Sequence, residues 1–325
     1  AYKSLGKTFY YIMTADATIV IADDFTDAAS AEARCEQFIN SVGDKLAEIN
    51  SSLSIGVEDS AVSLFNSAAA GAVIEVDKTA YDVFTLAEQM YGFTDGYYNP
   101  AVYYSVEAYG FNTNGSVPET AADLPSDAAI EKFRQLSSHF GDIQIFEEEG
   151  KFYVKKPSAT VEIDGVTYSM KIDLGGIGKG YTVDVVNAML DESGFKYGYF
   201  DFGSSSIVCK SHFKFGAYEL EFRNPRAEFF GQQFLKTKIK NECISTSADD
   251  VKYYVLDGVR YCHVIDPTTG KPVNKGIMSA TVIGGTAAEG DALTTALMAM
   301  GKDKALTFIE NKLKDRKVVF TYDNN

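Results

Sequence analysis

Apolar residues recur along this chain with two different periods, and these divide it into predicted helices and strands. Spacings of three and four predict long helices over residues 27–53 and 79–93. The same spacing predicts shorter helices over 127–138, 181–192, 290–300 and 303–314. Alternating apolar and polar residues predict a β-hairpin over 7–23, strands within 143–172, strands from the 181–192 helix to residue 283, and a last strand over 317–322. Because helices and strands come in blocks, we expect an α+β fold with mixed and antiparallel strands and flanking helices.

Four glycines interrupt the pattern between a predicted strand over 166–172 and the 181–192 helix: Gly175, Gly176, Gly178 and Gly180. A strand, a glycine turn and a helix N-terminus present backbone N–H groups to an anion, and glycine allows close approach in unusual φ/ψ. The spacing fits neither the P-loop nor the dinucleotide-binding fingerprint. The segment therefore indicates either a phosphate-binding element or a flexible turn without a ligand.

Composition and charge exclude some classes of protein. The chain has 325 residues, of which 46% are hydrophobic, and a formal net charge of −15. This charge repels nucleic acid and anionic lipid, so we expect no nucleic-acid partner, and an anionic ligand would need a neutralising metal ion. The four cysteines form no C-x-x-C pair, which favours buried free thiols over zinc ligands or disulfides.

A carboxylate and a hydroxyl are spaced for one helix face near the C-terminus. Asp291 and Thr295 are i and i+4 if the 290–300 segment is helical. Both are hard oxygen ligands of the kind that Mg²⁺ prefers. The alternative is structural, with Asp291 as a helix N-cap and Thr295 as a small packing residue.

Three further groups of residues could carry chemistry. His263 precedes an Asp266-Pro267-Thr268-Thr269-Gly270 turn and suits general-base work, although a histidine paired within a sheet is the commoner case. The run Ser245–Asp250, which includes Ser247 and Asp249, could contact ribose or phosphate, or form an ordinary turn. Tyr97 and Tyr98 could stack on a flavin or adenine ring, or simply pack in the core.

Taken in order, several segments resemble the ApbE family of FAD:protein FMN transferases. The matching segments span nearly the whole chain: Ser4–Phe9, Asp95–Pro100, Asp173–Tyr181, Ser245–Ser247, His263–Gly270 and Asp291–Ala296. The glycine-rich, His…Asp-Pro-x-x-Gly and Asp-Ala-x-x-Thr elements together are specific. The resemblance implies an α+β, T-fold-related architecture in one domain over residues 1–325, with FAD between two lobes if the domain is divided.

The resemblance also implies a reaction and a set of site residues. FMN would pass from FAD to a threonine hydroxyl of an acceptor protein, with release of AMP and with Mg²⁺ held by Asp291, Thr295 and the Gly178 carbonyl. His263 would be the catalytic base, and Asp249 is a weaker candidate. Lys179 and Ser247 would contribute polar contacts to FAD. The family's flavin contacts correspond to Leu5, Tyr97, Tyr98, Asn99, Gly175, Tyr181 and the backbone near Ile265, and Ile55 lies where a further aromatic contact is expected.

The sequence also departs from the family pattern. Leu5 stands where the resemblance places a methionine, Asn99 replaces an aspartate, and Gly203-Ser204-Ser205 replaces Gly-Gly-Asp. These changes leave open two alternatives, an FAD pyrophosphatase that yields FMN and AMP, and a non-catalytic FAD-binding lipoprotein. From the family's usual acceptors, which are exported or membrane-bound electron carriers, we expect an extracytoplasmic, envelope-associated protein with a lipid anchor on a residue absent from this chain.

Overall fold

The computed structural model of the chain describes residues 3–24, 27–112, 116–227 and 233–322. The elements up to residue 169 are β1 (Lys3–Ile12), β2 (Ala15–Asp23), α1 (Ala28–Leu53), α2 (Ala61–Ser67), β3 (Val73–Val76), α3 (Lys78–Phe93), α4 (Tyr103–Ala108), α5 (Asp127–Ser137), β4 (Gln144–Glu148), β5 (Lys151–Lys155), β6 (Thr160–Ile163) and β7 (Val166–Ser169), with 3₁₀ turns at Ala121–Asp123 and Ser138–Asp142. The elements after residue 169 are α6 (Gly175–Glu192), β8 (Tyr197–Phe202), β9 (Ser206–Cys209), β10 (Tyr218–Arg223), β11 (Gln233–Ile239), β12 (Glu242–Ala248), β13 (Tyr253–Leu256), β14 (Val259–Cys262), β15 (Ile265–Asp266), β16 (Lys271–Pro272), β17 (Ile277–Ile283), α7 (Ala287–Met300), α8 (Lys302–Lys312) and β18 (Lys317–Tyr322).

The long predicted helices are confirmed almost to the residue, because local capping marks where they begin. α1 follows Asp27, whose side chain accepts a hydrogen bond from Ser30 N at 2.8 Å. α3 follows Asp77, which caps Ala80 N in the same way. The hairpin β1–β2, helices α5 and α8 and strand β18 are also where the pattern predicts them. Helices α2 and α4 were not predicted, since each is too short to show a period.

Seven strands form the main sheet, in the order β1-β2-β8-β9-β12-β17-β18. Every pairing in this sheet is antiparallel. Within the described ranges, the smaller sheets are antiparallel too. The α+β class is therefore confirmed, whereas the expected mixture of strand directions reduces to one isolated parallel bridge, between Tyr197 and Ser211.

Helices α6 and α7 pack against each other and against the strands of the main sheet. α7 is buried on all sides, and only Glu289 and Thr295 among its residues keep appreciable exposure. A helix that is buried on all sides belongs to the core of the protein. A polar residue that stays accessible to solvent on such a helix therefore needs an explanation. No helix in the described ranges is long and apolar enough to span a bilayer. The division of the domain into two lobes stays a prediction.

Candidate active site at the start of helices α6 and α7

The glycine-rich segment forms the first turns of α6 and is not a turn that precedes the helix. α6 begins at Gly175, well before residue 181, and β7 ends at Ser169 instead of 172. None of the four glycines has a positive φ, so the expected unusual backbone conformation is wrong. Asp173 Oδ1 accepts a hydrogen bond from Gly175 N at 2.8 Å. The expected positive helix end is present, but it lies at Gly175.

Glycine serves here to bring α6 and α7 close together. A side chain on Gly180 would place its Cβ 2.3 Å from the carbonyl oxygen of Ala287 and 2.6 Å from Ala288 Cα. Both are backbone atoms, so a larger residue would have to push the helices apart. Asp184 of α6 ties the helices a second time, because its carboxylate accepts hydrogen bonds from Ala287 N at 2.7 Å and Ala288 N at 2.9 Å.

Asp291 is a buried carboxylate at this junction. It is 2% exposed, and its Oδ2 accepts a hydrogen bond from Gly180 N at 3.2 Å. The ammonium of Lys179 lies 3.7 Å from the same oxygen. α7 begins at Ala287 with Thr286 as its N-cap, so the alternative that Asp291 caps the helix is wrong. The predicted helix face is confirmed, and it points a carboxylate at the first turns of α6.

Hydroxyl groups from α7 and β12 meet beside this carboxylate. The Ser247 hydroxyl lies 2.8 Å from the Thr294 hydroxyl and 3.4 Å from that of Thr295. In the part of the chain that the structure describes, no three His, Cys, Asp or Glu side chains form a metal-binding group. A metal bound at this junction would have Asp291 as a charged ligand, with neutral oxygens beside it. Hard oxygen donors of this kind fit Mg²⁺, which usually retains several water ligands.

Lys179 and Gly178, in the first turns of α6, affect whether a cation can bind beside Asp291. Lys179 donates a hydrogen bond to the Gly175 carbonyl and faces Asp291, so its ammonium lies inside the site. A positive charge is therefore accommodated beside Asp291. The Gly178 carbonyl accepts a hydrogen bond from the Thr182 hydroxyl at 2.8 Å. A carbonyl oxygen has a second lone pair, so the role of Gly178 as a metal ligand stays a prediction.

His263 follows β14 and is partly exposed. Its Nδ1 lies 3.3 Å from the carbonyl oxygen of Lys252, and because a carbonyl only accepts, Nδ1 carries the proton and Nε2 keeps its lone pair. Partial removal from water is the main cause that lowers the pKa of His263, to about 4, and the charges of Lys252 and Lys179 add to this effect. The hydrogen bond to the Lys252 backbone and the charge of Asp249 oppose it. The ring is neutral at pH 7, which is the form that a general base requires. Its catalytic role stays a prediction.

Asp249, the second candidate base, is engaged in an ion pair. Its two carboxylate oxygens accept hydrogen bonds from Arg226 Nη1 at 2.7 Å and Nη2 at 2.6 Å. Such a bidentate pair is strong and geometrically specific. To accept a proton, Asp249 would have to break it, so this contact disfavours Asp249 as the base and favours His263.

The turn after α3 holds three residues that the resemblance places near flavin. The Asn99 side chain is bound to backbone, since its Nδ2 donates to Ser137 O at 3.0 Å and its Oδ1 accepts from Ala101 N at 2.9 Å. The Tyr97 hydroxyl accepts a hydrogen bond from Lys304 at 2.7 Å. The Tyr98 ring is only 2% exposed, so neither of its faces is open for stacking on flavin. These contacts do not support the flavin contact of Asn99 or the stacking role of Tyr98.

Comparison with models of known sequence families identifies the family of this chain. A sequence model of the ApbE family matches residues 13–320, which is nearly the whole chain. The chain belongs to the ApbE family. The resemblance that the motifs indicate is thereby confirmed over both helices of the site.

Individual members of the ApbE family are similar to this chain along most of its length. A Vibrio cholerae protein named FAD:protein FMN transferase is 29% identical over 283 residues, or 86% of this chain and 78% of the relative. A Treponema pallidum protein of the same name is 27% identical, over 79% of this chain and 69% of the relative. The apo structure of Pseudomonas stutzeri flavinyl transferase ApbE superimposes with a TM-score of 0.80 at 21% identity, and the match covers 100% of this chain and 92% of that one. The last comparison supports the α+β fold.

The start of the ApbE match bears on the predicted flavin contact at Leu5. Leu5 lies outside the matched residues and packs against the core beneath β1, β2 and α1. Met13, where the match begins, lies next to the glycine segment, with its Cε 2.5 Å from the point where a Gly178 side chain would start. Met13 N donates to Asn50 Oδ1 at 2.9 Å. The position of Met13 beside the glycine segment is visible only in the structure, because nothing in the sequence distinguishes it from other hairpin residues.

Three other predicted flavin contacts occupy packing positions. Ile265 is buried with Tyr109 and Ile130. Ile55 packs between two hydrophobic clusters. Tyr181 lies near the start of α3, where Asp82 and Thr79 interact with its hydroxyl. Burial and then the charge of Asp82 raise the pKa of Tyr181, and a hydrogen bond with Thr79 lowers it. The structure therefore gathers Gly175, Lys179, Ser247, Asp291 and Thr295, while the flavin contacts of Ile55, Tyr181 and the backbone near Ile265 stay predictions.

Proposed function

We propose that this chain transfers FMN from FAD to a threonine hydroxyl of an acceptor protein and releases AMP. The observation that carries the proposal is the junction of α6 and α7, where a helix N-terminus, a buried carboxylate, a lysine and several hydroxyls meet. Relatives that match most of this chain carry the name FAD:protein FMN transferase. The acceptor threonine and the metal requirement belong to the proposal.

The junction suits a diphosphate on an acidic protein. The chain carries a net charge of −15, so an anionic ligand needs local positive charge. The N-terminus of α6 and the Lys179 ammonium supply part of that charge. Gly175, Gly176, Lys179, Ser247 and Thr295 all keep some exposure, which leaves an approach from solvent.

The residues present fit a magnesium ion, and we include Mg²⁺ in the proposal. Asp291, Thr295 and the Gly178 carbonyl would hold it. When bound, the ion would neutralise charge on the diphosphate oxygens and on phosphorus. Lys179 then has a second acceptor available, because the ammonium that faces Asp291 can turn toward a phosphate oxygen.

The reaction needs a base for the acceptor hydroxyl, which is a weak nucleophile at neutral pH. In the proposed step the hydroxyl oxygen bonds to the phosphorus on the FMN side, and the phosphorus–oxygen bond to AMP breaks. AMP leaves with the bonding electron pair. The hydroxyl proton passes to Nε2 of His263, whose lone pair is left free by the hydrogen bond from Nδ1 to Lys252. The proton then returns to solvent.

Mass spectrometry tests the proposal and separates it from its alternatives. The chain is incubated with FAD, MgCl₂ and a peptide that contains one threonine, with the Thr→Val peptide as control. An FMN adduct on the threonine peptide alone, with AMP released, supports transfer. Free FMN and AMP without an adduct would indicate a pyrophosphatase, and intact FAD would indicate a protein that only binds the dinucleotide. Omitting MgCl₂ or adding a chelator tests the metal requirement.

We further propose that the protein acts outside the cytoplasm, at the cell envelope, on an electron carrier held there by a membrane. The support is the family's usual acceptors, as the sequence motifs imply. Fractionation of cells that express the full-length gene tests this, and recovery only in the cytoplasmic fraction would contradict it.

A further inference from the structure

Within the described part of the chain, the buried hydroxyl group of Tyr98 has no hydrogen-bond partner. The residue is 2% exposed, and its hydroxyl bonds to no atom among the residues that the structure describes. The Tyr104 hydroxyl, by contrast, donates a hydrogen bond to the Ser169 carbonyl oxygen at 3.0 Å. Buried polar groups are normally paired, so an unpaired one calls for an explanation.

The Tyr98 ring edge faces the opening between α6 and α7. Its Cε2 lies 3.6 Å from the point where a side chain on Gly176 would begin, and the Thr295 hydroxyl lies 3.8 Å from that same point. Tyr98, Gly176 and Thr295 are therefore neighbours at one spot of the junction between α6 and α7.

The surroundings of the Tyr98 hydroxyl keep it protonated, so that it can donate a hydrogen bond. Burial raises the pKa of Tyr98 well above its ordinary value, and the charges of Asp291 and Asp173 raise it further. The hydroxyl therefore keeps its proton at physiological pH. Because neither carboxylate is close enough to accept that proton in a hydrogen bond, the donor is available to something that enters the site.

On the basis of the proposed function, we propose that the Tyr98 hydroxyl donates a hydrogen bond to a phosphate oxygen of the bound dinucleotide. The residue then helps to fix the diphosphate between the first turn of α6 and Thr295. This contact to phosphate is different from flavin stacking, which would need an exposed face of the Tyr98 ring. The Tyr98 hydroxyl therefore gains its hydrogen-bond partner only when the dinucleotide binds.

Tyr98→Phe removes only the oxygen, and Tyr104→Phe is the matched control whose hydroxyl is already paired. Calorimetry with MgCl₂ present measures binding of FAD, ADP and riboflavin, and thermal melting measures the stability of the free proteins. We expect Tyr98→Phe to bind FAD and ADP about tenfold more weakly and riboflavin unchanged, since a hydrogen bond to a charged group is lost. The free variant should melt no lower than wild type, because no bond is lost in it. Tyr104→Phe should show the reverse, with a lower melting temperature and unchanged affinities.

Three results would overturn the inference. ADP affinity that is unchanged in Tyr98→Phe shows that the hydroxyl does not meet phosphate. A loss of riboflavin affinity equal to that of FAD places it on the flavin ring. A melting temperature that falls as far as in Tyr104→Phe shows a structural partner. If wild type binds FAD and Tyr98→Phe binds it equally, only this inference fails, whereas wild type that binds neither FAD nor ADP refutes the proposed function as well.

Discussion

Gly180→Ala tests whether the close approach of α6 and α7 holds the site together. The added Cβ would lie 2.3 Å from the Ala287 carbonyl oxygen. Ordinary contact needs about 3.5 Å, so the helices would have to separate by about 1 Å. That separation also stretches the 3.2 Å hydrogen bond from Gly180 N to Asp291.

The expected cost follows from these contacts. Overpacking a tight interface costs about 1–3 kcal/mol, and loss of a hydrogen bond to a charged group costs about 1.5–3 kcal/mol. Alanine recovers about 1 kcal/mol through its better helix propensity. We therefore expect the free energy of unfolding to fall by about 3 kcal/mol and the melting temperature by about 4 °C. Turnover should fall by about 10²-fold, since a 1 Å displacement of a reacting group has that effect.

The assay combines thermal melting with the FMN-transfer reaction, and Gly92→Ala is the matched control. Gly92 lies within α3 and has no atom within 4 Å of its Cβ position, so alanine there should stabilise the protein by up to about 1 kcal/mol and leave turnover unchanged. If Gly180→Ala melts and turns over like wild type, the close approach is not required and the explanation given for this glycine is wrong.

Three further predictions concern the chemistry. Asp291→Asn keeps the shape and removes the charge, so Mg²⁺-dependent transfer should fall by at least about 10²-fold, and a variant as active as wild type would refute the metal assignment. His263→Ala should slow transfer by about 10²–10⁴-fold while calorimetry shows unchanged FAD affinity; a collapse of affinity would make His263 a binding residue. Because the pKa of His263 is lowered to about 4 from 6.5, the wild-type kcat/KM should stay level as pH falls through 6.5 and drop only near pH 4, where the base gains a proton. An acid limb near pH 6.5 that disappears in His263→Ala would contradict the burial argument.

The periodic pattern of the sequence was sufficient wherever a helix has one apolar face and a clear cap. α1 and α3 show this, since Asp27 and Asp77 mark their starts and their buried residues recur at threes and fours. The i and i+4 spacing of Asp291 and Thr295 likewise placed both on one helix. The motifs, taken in chain order, identified the family over most of the chain.

Contacts between distant segments were not predictable in this way. Four glycines in six positions predict a turn, because glycine is unfavourable in helices. Helix α6 nevertheless starts at Gly175, and Gly180 lies against the Ala287 backbone, which comes from a segment more than a hundred residues away in sequence. The same holds for Asp249, whose pairing with Arg226 depends on how two loops meet.

Local periodicity and the motifs were enough to identify the fold class, the family and the residue types of the site. Which of those residues converge depends on how the chain packs in three dimensions. That packing brought Asp291 of α7 against Lys179 and Gly180 of α6, and it brought Ser247 of β12 beside Thr295. The structure also revealed the unpaired hydroxyl of Tyr98. The physical reason is that burial and hydrogen bonding depend on neighbours in space, which a linear pattern does not specify.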